Sequence, residues 1–343
     1  MNIGILCPSE IALRRFMPSL VKTDFTFVGL AVNSPEERYG KQFPIQAVVD
    51  KMLESEIAKA KIFTDKYGGK IYTSYSEIIN TPEIEALYIP LPPGLHFKWA
   101  KKALKAGKHV LLEKPFTTLL KDTKELIEIA KENKLAVHEN YMFNFHSQLE
   151  AIDEIVKKGE LGEVRLYNIK FGFPMRENND FRYVKALGGG ALLDAGGYCI
   201  KYATRLLGKT VRIVYSKLNN KDGFAVDMYG SGALVNNAGQ IVQIAYGMDN
   251  DYRCEVEIWG STGTLRTGRV LTAPVDFKPT LVISRNGIIE EKVLESDDAF
   301  EKSILRFKSC ILNEQLRNEN YLEIEKQAFL VEDFLSRQEG GRR

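Results

Sequence analysis

Over its first 140 residues the chain alternates short apolar runs with stretches of helical spacing. That alternation restricts its folding more than any other feature. The runs NIGIL (2–6), FTFVGLAV (25–32), ALYIP (86–90), KHVLL (108–112) and LAVHEN (135–140) read as strands, and 11–21, 51–67, 95–106 and 119–133 as helices. Within 51–67, Met52, Ile57, Ala60 and Phe63 recur at helical spacing and Gly68-Gly69 ends the run. Strands alternating with helices pair in parallel through βαβ units, which predicts a doubly wound sheet. Residues 39–49 are extra length between the second strand and its helix and carry no functional signal.

The texture changes after a helix at 151–159. Strand-like runs follow at 164–171, 212–218, 232–236, 240–246, 255–259 and 280–285 without intervening helices. Asn286-Gly287, between VISR and IIEEKV, is a strong hairpin signal, and Asn237-Ala238-Gly239 a weaker one. This half therefore reads as α+β with a mostly antiparallel sheet. The expected division is 1–140 for the α/β domain and 141–343 for the second. Helix is expected over 300–336, with a frayed end at 338–343.

A length of 343 residues suits two such domains better than one core. Lys and Arg total 47 against 45 Asp and Glu, a net charge of +2, which argues against a chain whose business is coating nucleic acid or an anionic membrane. Four cysteines without a CxxC pair suggest unpaired thiols in a reducing compartment. Four histidines lack metal-ligand spacing, so no metal is expected. Neither a membrane-spanning apolar run nor a signal-peptide pattern is present, and a soluble, cytoplasmic protein is the expectation.

A strand, a tight turn and a helix at the start of the chain form the setting in which a dinucleotide fold binds pyrophosphate. The G-x-G-x-x-G/A register falls on Cys7-Pro8-Ser9-Glu10-Ile11-Ala12, where only the small third position survives. Backbone N–H groups rather than glycine side chains bind the phosphates, so Cys7, Ser9, Glu10 and Ile11 stay candidates beside the alternative of an ordinary βα turn. After the second strand come Asn33-Ser34-Pro35, with Arg14, Arg15 and Arg38 as nearby cations. A carboxylate there would bind the adenosine 2′-hydroxyl and repel a 2′-phosphate. Its absence makes Asn33, Ser34 and Arg38 candidates and leans toward NADP over NAD.

Glu113-Lys114-Pro115 follows the strand HVLL, at the carboxyl end where open α/β sheets place ligands. The alternative for Lys114 is a surface lysine before a helix-starting proline. The loop Pro92-Pro93-Gly94-Leu95-His96 lies after the strand ALYIP and, with Pro90 and Leu91 before it, suits a wall of the nicotinamide site, although His96 is equally a helix-start residue. Asn140 also follows a strand. Farther on, Gly188-Gly189-Gly190 leads into a helix carrying Asp194 and Tyr198, four residues apart and so on one face. Glycines at 196 and 197 cost a helix roughly 1 kcal/mol each, which suggests close packing against a ligand or another backbone. A tyrosine beside a lysine ammonium exchanges a proton more readily with a hydroxyl or carbonyl oxygen. A half-buried helix tyrosine is the plainer reading. Arg182, Tyr183 and Arg253 suit an anionic or hydroxyl-rich substrate, against the alternative of solvated surface.

The segments YIPLPPGLHFKWAKKALKAGKHVLLEKP (88–115), ENYMFNFHSQ (139–148), KKGELGEV (157–164), GGGALLDAGGYCIKYATRLLG (188–208) and YRCEVEIWGSTGTL (252–265) resemble the Gfo/Idh/MocA oxidoreductases along essentially the whole chain. That resemblance implies a Rossmann domain followed by an α+β domain with a large, mostly antiparallel sheet. It implies Lys114 as the lysine that orients substrate and lowers its partner's pKa, Tyr198 as acid/base where many members carry histidine, and Asp194 in support. Tyrosine at this place is similar to the subgroup acting on sugars and diols with NADP, and residues 171–198 look most like nucleotide-sugar 3-ketoreductases. The implied reaction moves hydride between NAD(P) and a sugar carbonyl or alcohol, with a nucleotide-linked 3-keto deoxysugar preferred. The alternatives are a free aldose or dihydrodiol substrate, or a non-catalytic NAD(P)-binding regulator. A homodimer or homotetramer is expected from the uncovered sheet face. Cys7 and Ser9 depart from the family's glycines.

Overall fold

A computed structural model describes residues 1–40 and 44–337, so part of the segment 39–49 and the tail 338–343 lie outside the described residues. The chain divides into two compact units, 1–117 with 121–140 and 303–324, and 118–120 with 141–302 and the C-terminal residues from 325.

In the first unit β1 (Asn2–Leu6), β2 (Thr26–Ala31), β3 (Lys70–Tyr72), β4 (Ala86–Ile89), β5 (His109–Leu112) and β6 (Val137–Glu139) form one sheet in the order β3-β2-β1-β4-β5-β6. Every neighbouring pair is parallel. This is the expected doubly wound arrangement, with the strand order of dinucleotide-binding sheets. All of β4 is buried, because helices cover both sheet faces. The helix His96–Lys105 presents His96, Trp99, Ala100, Ala103 and Leu104 to that core. The short β3 and the helix Tyr75–Asn80 went unread in the sequence, since neither is long enough to show a period.

Residues 303–324 belong to this first unit, which corrects the assignment of everything after 140 to the second. Asn320 Nδ2 donates to the Val137 carbonyl at 2.5 Å, and the Tyr321 hydroxyl donates to the Leu135 carbonyl. The Ala136 carbonyl already accepts from Val110 N–H across the sheet. Alternation therefore leaves the Leu135 and Val137 carbonyls on the open side of β6, an edge that the returning segment covers. An amphipathic helix announces that it buries a face but not which sheet receives it.

The second unit is built on an eight-stranded sheet. Its strands are β7 (Val164–Gly172), β8 (Arg212–Asn220), β9 (Asp227–Val235), β10 (Ile241–Gly247), β11 (Arg253–Gly260), β12 (Gly263–Gly268), β13 (Thr280–Arg285) and β14 (Ile288–Val293). They lie in the order β14-β13-β12-β11-β7-β10-β9-β8. All pairs are antiparallel except β10 with β7. Asn286 and Gly287 take φ of 50° and 79°, both positive as a two-residue type I′ turn requires. Along β11, Cys254, Val256 and Ile258 are buried while Arg253 and Trp259 are exposed, so one face of the sheet meets the core and the other stays open. The helix Gly197–Leu207 packs on the covered face, against β7 and β10.

Candidate active site

In the first unit, β1 passes through a tight turn into a π-helical turn, Ala12–Phe16, that runs on as the α-helix Met17–Leu20. Cys7 takes φ +91°, a backbone conformation normally left to glycine. The sequence has lost the glycine and kept its geometry. Ser9 closes the turn: its N–H donates to the Cys7 carbonyl at 2.9 Å, and its hydroxyl accepts from Ala12 N–H at 3.2 Å. Burial pushes the Cys7 thiol up to about 12, so it stays protonated. Glu10 is exposed and pairs with Arg14.

At the end of β2, Asn33 Oδ1 is buried without a hydrogen-bond partner among the described residues. Such an amide oxygen can accept from a ribose hydroxyl, and with the glycine-like turn it fits a dinucleotide. Ser34 instead serves its own helix, Pro35–Tyr39, as the N-cap of a capping box with Glu37. The Glu37 carboxylate also accepts from the N–H groups of Tyr75 and Ser76 and from the Ser76 hydroxyl at 2.7–2.8 Å. Arg38 is exposed over the Tyr39 ring.

The carboxyl ends of β4, β5 and β6 bring Leu91, His96, Glu113, Pro115 and Asn140 into one neighbourhood. His96 begins its helix and is fully buried. Its Nδ1 lies 2.9 Å from the Pro115 carbonyl and its Nε2 lies 2.7 Å from the Leu91 carbonyl. Burial holds its pKa down, so at neutral pH the ring donates to one of these two carbonyls. His96 is thus a clamp between the Pro90–Pro92 loop and the turn after Lys114, whose peptide bond to Pro115 is cis. Glu113 Oε1 accepts from the Tyr88 hydroxyl at 2.6 Å and from Asn140 Nδ2 at 2.7 Å. Burial raises the Glu113 pKa, and those two donors oppose the rise.

In the second unit a π-helical turn, Leu192–Gly196, opens the helix Gly197–Leu207. The sequence expectation of one regular α-helix is corrected here, and Asp194 and Tyr198 are separated by a widened turn. Leu192 N–H donates to the Asp227 carboxylate at 2.7 Å, which caps this turn from β9. Arg182 Nε donates to Asp194 Oδ2 at 2.6 Å, and its Nη1 meets both oxygens of Asp180 at 3.1 and 3.2 Å. Two carboxylates hold Arg182 cationic despite its burial. The Tyr198 ring is boxed by Tyr141, Phe171 and Phe143 at centroid distances of 5.1, 5.2 and 5.7 Å. A methyl group at Gly197 would stand 2.3 Å from the Tyr141 hydroxyl, one at Gly196 3.0 Å from the Tyr246 ring, and one at Gly190 2.4 Å from Asp227 Oδ1. These glycines make room for the protein's own side chains, where the sequence suggested a ligand or another backbone.

Residues 24–141 match the family model described as an oxidoreductase family with an NAD-binding Rossmann fold, and residues 149–266 match the GFO/IDH/MocA C-terminal domain. The chain belongs to the Gfo/Idh/MocA oxidoreductase family. The matched stretch begins after the Cys7–Ala12 turn, where this member departs from the glycine pattern. It is 32% identical over 309 residues to a dTDP-3,4-didehydro-2,6-dideoxy-alpha-D-glucose 3-reductase from Saccharopolyspora spinosa, covering 89% of this chain and 86% of that one. The fold superposes with a TM-score of 0.88 on a 3-ketoreductase from Actinomadura kijaniata solved with NADP and TDP-benzene. That pair is 31% identical over 98% of this chain and 97% of the other. An aldose-aldose oxidoreductase from Caulobacter crescentus shares the fold at a TM-score of 0.80 and 20% identity.

Within this Gfo/Idh/MocA member the other candidates are dispersed. Arg253 lies on the open face of β11, paired with Glu255, whereas Asp194 and Tyr198 belong to the helical layer on the covered face. Tyr183 turns inward, its hydroxyl accepting from Arg176 N–H at 2.8 Å and its ring edge-on to Phe224. Sequence reasoning missed Asp180, Asp227, Tyr88 and Ser303. Only Asp180 carried a signal, as an acid two residues before an arginine. Among the described residues no cluster of His, Cys, Asp and Glu could hold a metal ion, and no helix is long and apolar enough to cross a membrane.

Proposed function

We propose that this oxidoreductase reduces the 3-keto group of a nucleotide-linked deoxysugar with NADPH. One observation carries the reading. The ketoreductase from Actinomadura kijaniata, which matches almost end to end, has been solved as lysine and tyrosine variants, and those two residues have the same separation as Lys114 and Tyr198. When bound, the nicotinamide supplies the hydride. Tyr198 gives its phenolic proton to the ketone oxygen as that oxygen becomes a hydroxyl, and the Lys114 ammonium orients the substrate and stabilises the phenolate. Asp194, tied to Arg182, supports the helix that carries Tyr198.

Cys7, Ser9, Glu10 and Ile11 would hold the pyrophosphate, and Pro90, Leu91, Pro92, Glu113 and Asn140 the nicotinamide end. Asn33, Ser34 and Arg38 would meet the adenosine side, and His96 acts there through the loops it clamps. The choice of NADP is supported by Glu37, whose carboxylate is committed to Ser34, Tyr75 and Ser76 and so is not offered to a 2′-hydroxyl. The open face of the second sheet, with Trp259 57% exposed, supports self-association into a homodimer or homotetramer, which sedimentation velocity would measure.

The test is NADPH oxidation with a TDP-linked 3-keto sugar. Tyr198→Phe and Lys114→Ala are each expected to lower kcat by about 10²–10⁴-fold, the usual worth of a positioned proton donor and its partner. Wild-type rates in both variants would refute the mechanism. Failure to bind either nicotinamide cofactor would favour a non-catalytic role.

A further inference from the structure

Five side chains of the first unit form one hydrogen-bonded run: Tyr88 from β4, Glu113 after β5, Asn140 and His138 from the end of β6, and Ser303 from the returning C-terminal segment. Tyr88, Asn140, His138 and Ser303 are each at most 2% exposed. The direction of every proton follows from chemistry. A carboxylate only accepts, so the Asn140 group 2.7 Å from Glu113 Oε1 is its NH₂, and its Oδ1 faces Ser303. The Ser303 hydroxyl donates to that Oδ1 at 2.8 Å and thereby spends its one proton. Ser303 Oγ must then accept from His138 Nε2, 2.9 Å away, which fixes the Nε2–H tautomer. All the donors point toward Glu113, an alignment in which each bond polarises the next.

We propose that Ser303 is a positioning residue for the cofactor half of the site. Its hydroxyl orients the Asn140 amide, and through it the Glu113 carboxylate beside Lys114. The proposal rests on the reading of Glu113 and Asn140 as nicotinamide-side residues. It also gives the chain's return to the first unit a role beyond covering an edge: residue 303 joins groups that the sequence places more than 160 positions away.

The test uses the full-length protein in two measurements that do not depend on turnover. Long-range ¹H–¹⁵N spectra of the cofactor-free chain report the tautomer of His138. The Nε2–H form is expected in wild type, with a displaced Nε2 signal in Ser303→Ala; the Nδ1–H form in wild type would overturn the run. Titration with NADPH gives the second readout. Ser303→Ala is expected to weaken binding about five-fold, the worth of one neutral hydrogen bond, and Ser303→Thr to restore it. In an Asn140→Ala background the same Ser303→Ala change is expected to do nothing further, because its route is gone. Fully additive losses would show that Ser303 does not act through Asn140. If keto sugars are not reduced while these results hold, the proposed substrate is wrong and the positioning run stands.

Discussion

Cys7 carries a Cβ through a backbone conformation that L-residues avoid, at a cost of about 1–3 kcal/mol. Glycine would relieve that strain and give back about 0.5–1 kcal/mol through the greater freedom of the unfolded chain. Cys7→Gly is therefore expected to stabilise the protein by about 1 kcal/mol, read as a higher urea midpoint at unchanged slope. A lower midpoint would mean that the thiol's buried contacts outweigh the strain. The residue also shows where a motif search fails. The pattern tests for glycine, whereas the fold needs a conformation, and here cysteine supplies it. The sequence presents Ser9 as a phosphate-side donor, whereas its hydroxyl accepts from Ala12 N–H inside the turn, a local contact that residue type alone does not announce. The pairing of Arg182 with Asp194 was not legible either, because no spacing rule sends an arginine twelve residues forward to a carboxylate.

Among the elements, the turn that opens the Tyr198 helix depends most on one side chain from another strand. Burial raises the Asp227 pKa from 3.8 to about 6, against the pull of Leu192 N–H. An acid whose folded pKa lies above its unfolded value binds its proton more tightly in the native state. Its contribution to stability is complete below about pH 4 and is lost as the pH rises through about 6. Asp227→Asn keeps an acceptor for Leu192 N–H and removes the buried charge. It is expected to stabilise the protein by about 1–3 kcal/mol at pH 8 and to change little at pH 4. Thermal unfolding at the two pH values checks this, and a uniform loss at both would assign Asp227 a packing role. Most strands were legible from their apolar runs, as was the change from parallel to antiparallel texture near residue 140. The π-helical turns at Ala12–Phe16 and Leu192–Gly196 were not, because widening a helix by one residue leaves no periodic trace.

For the whole molecule, the order of the chain and the order of its cores differ. The first unit takes Tyr321 and Ile324, both at most 2% exposed, from near the chain's end. A fragment ending at Asn140 would lack these side chains, each worth about 1.5–3 kcal/mol when buried, and would leave the edge of β6 open. Such a fragment is expected to aggregate, and residues 303–324 supplied through a flexible linker to restore a cooperative unfolding transition. A monomeric, cooperatively folded 1–140 fragment would contradict that dependence. Family membership and the alternation of strands and helices were visible in the residues alone. The late return was hidden because its partners are recognised by surface complementarity.

The widened turn ahead of Tyr198 also limits how this helix can change. Exchanging one side chain for another leaves the extra residue of an i→i+5 turn in place; the loss of a residue removes it. Removing one position between Leu192 and Gly196 would rotate Tyr198 about 100° around the helix axis relative to the residues before the cut. The aromatic box fits the phenol in one orientation. Sequence length through this turn is therefore fixed as firmly as the identity of the tyrosine, and a lineage drifting in composition would be expected to keep the count.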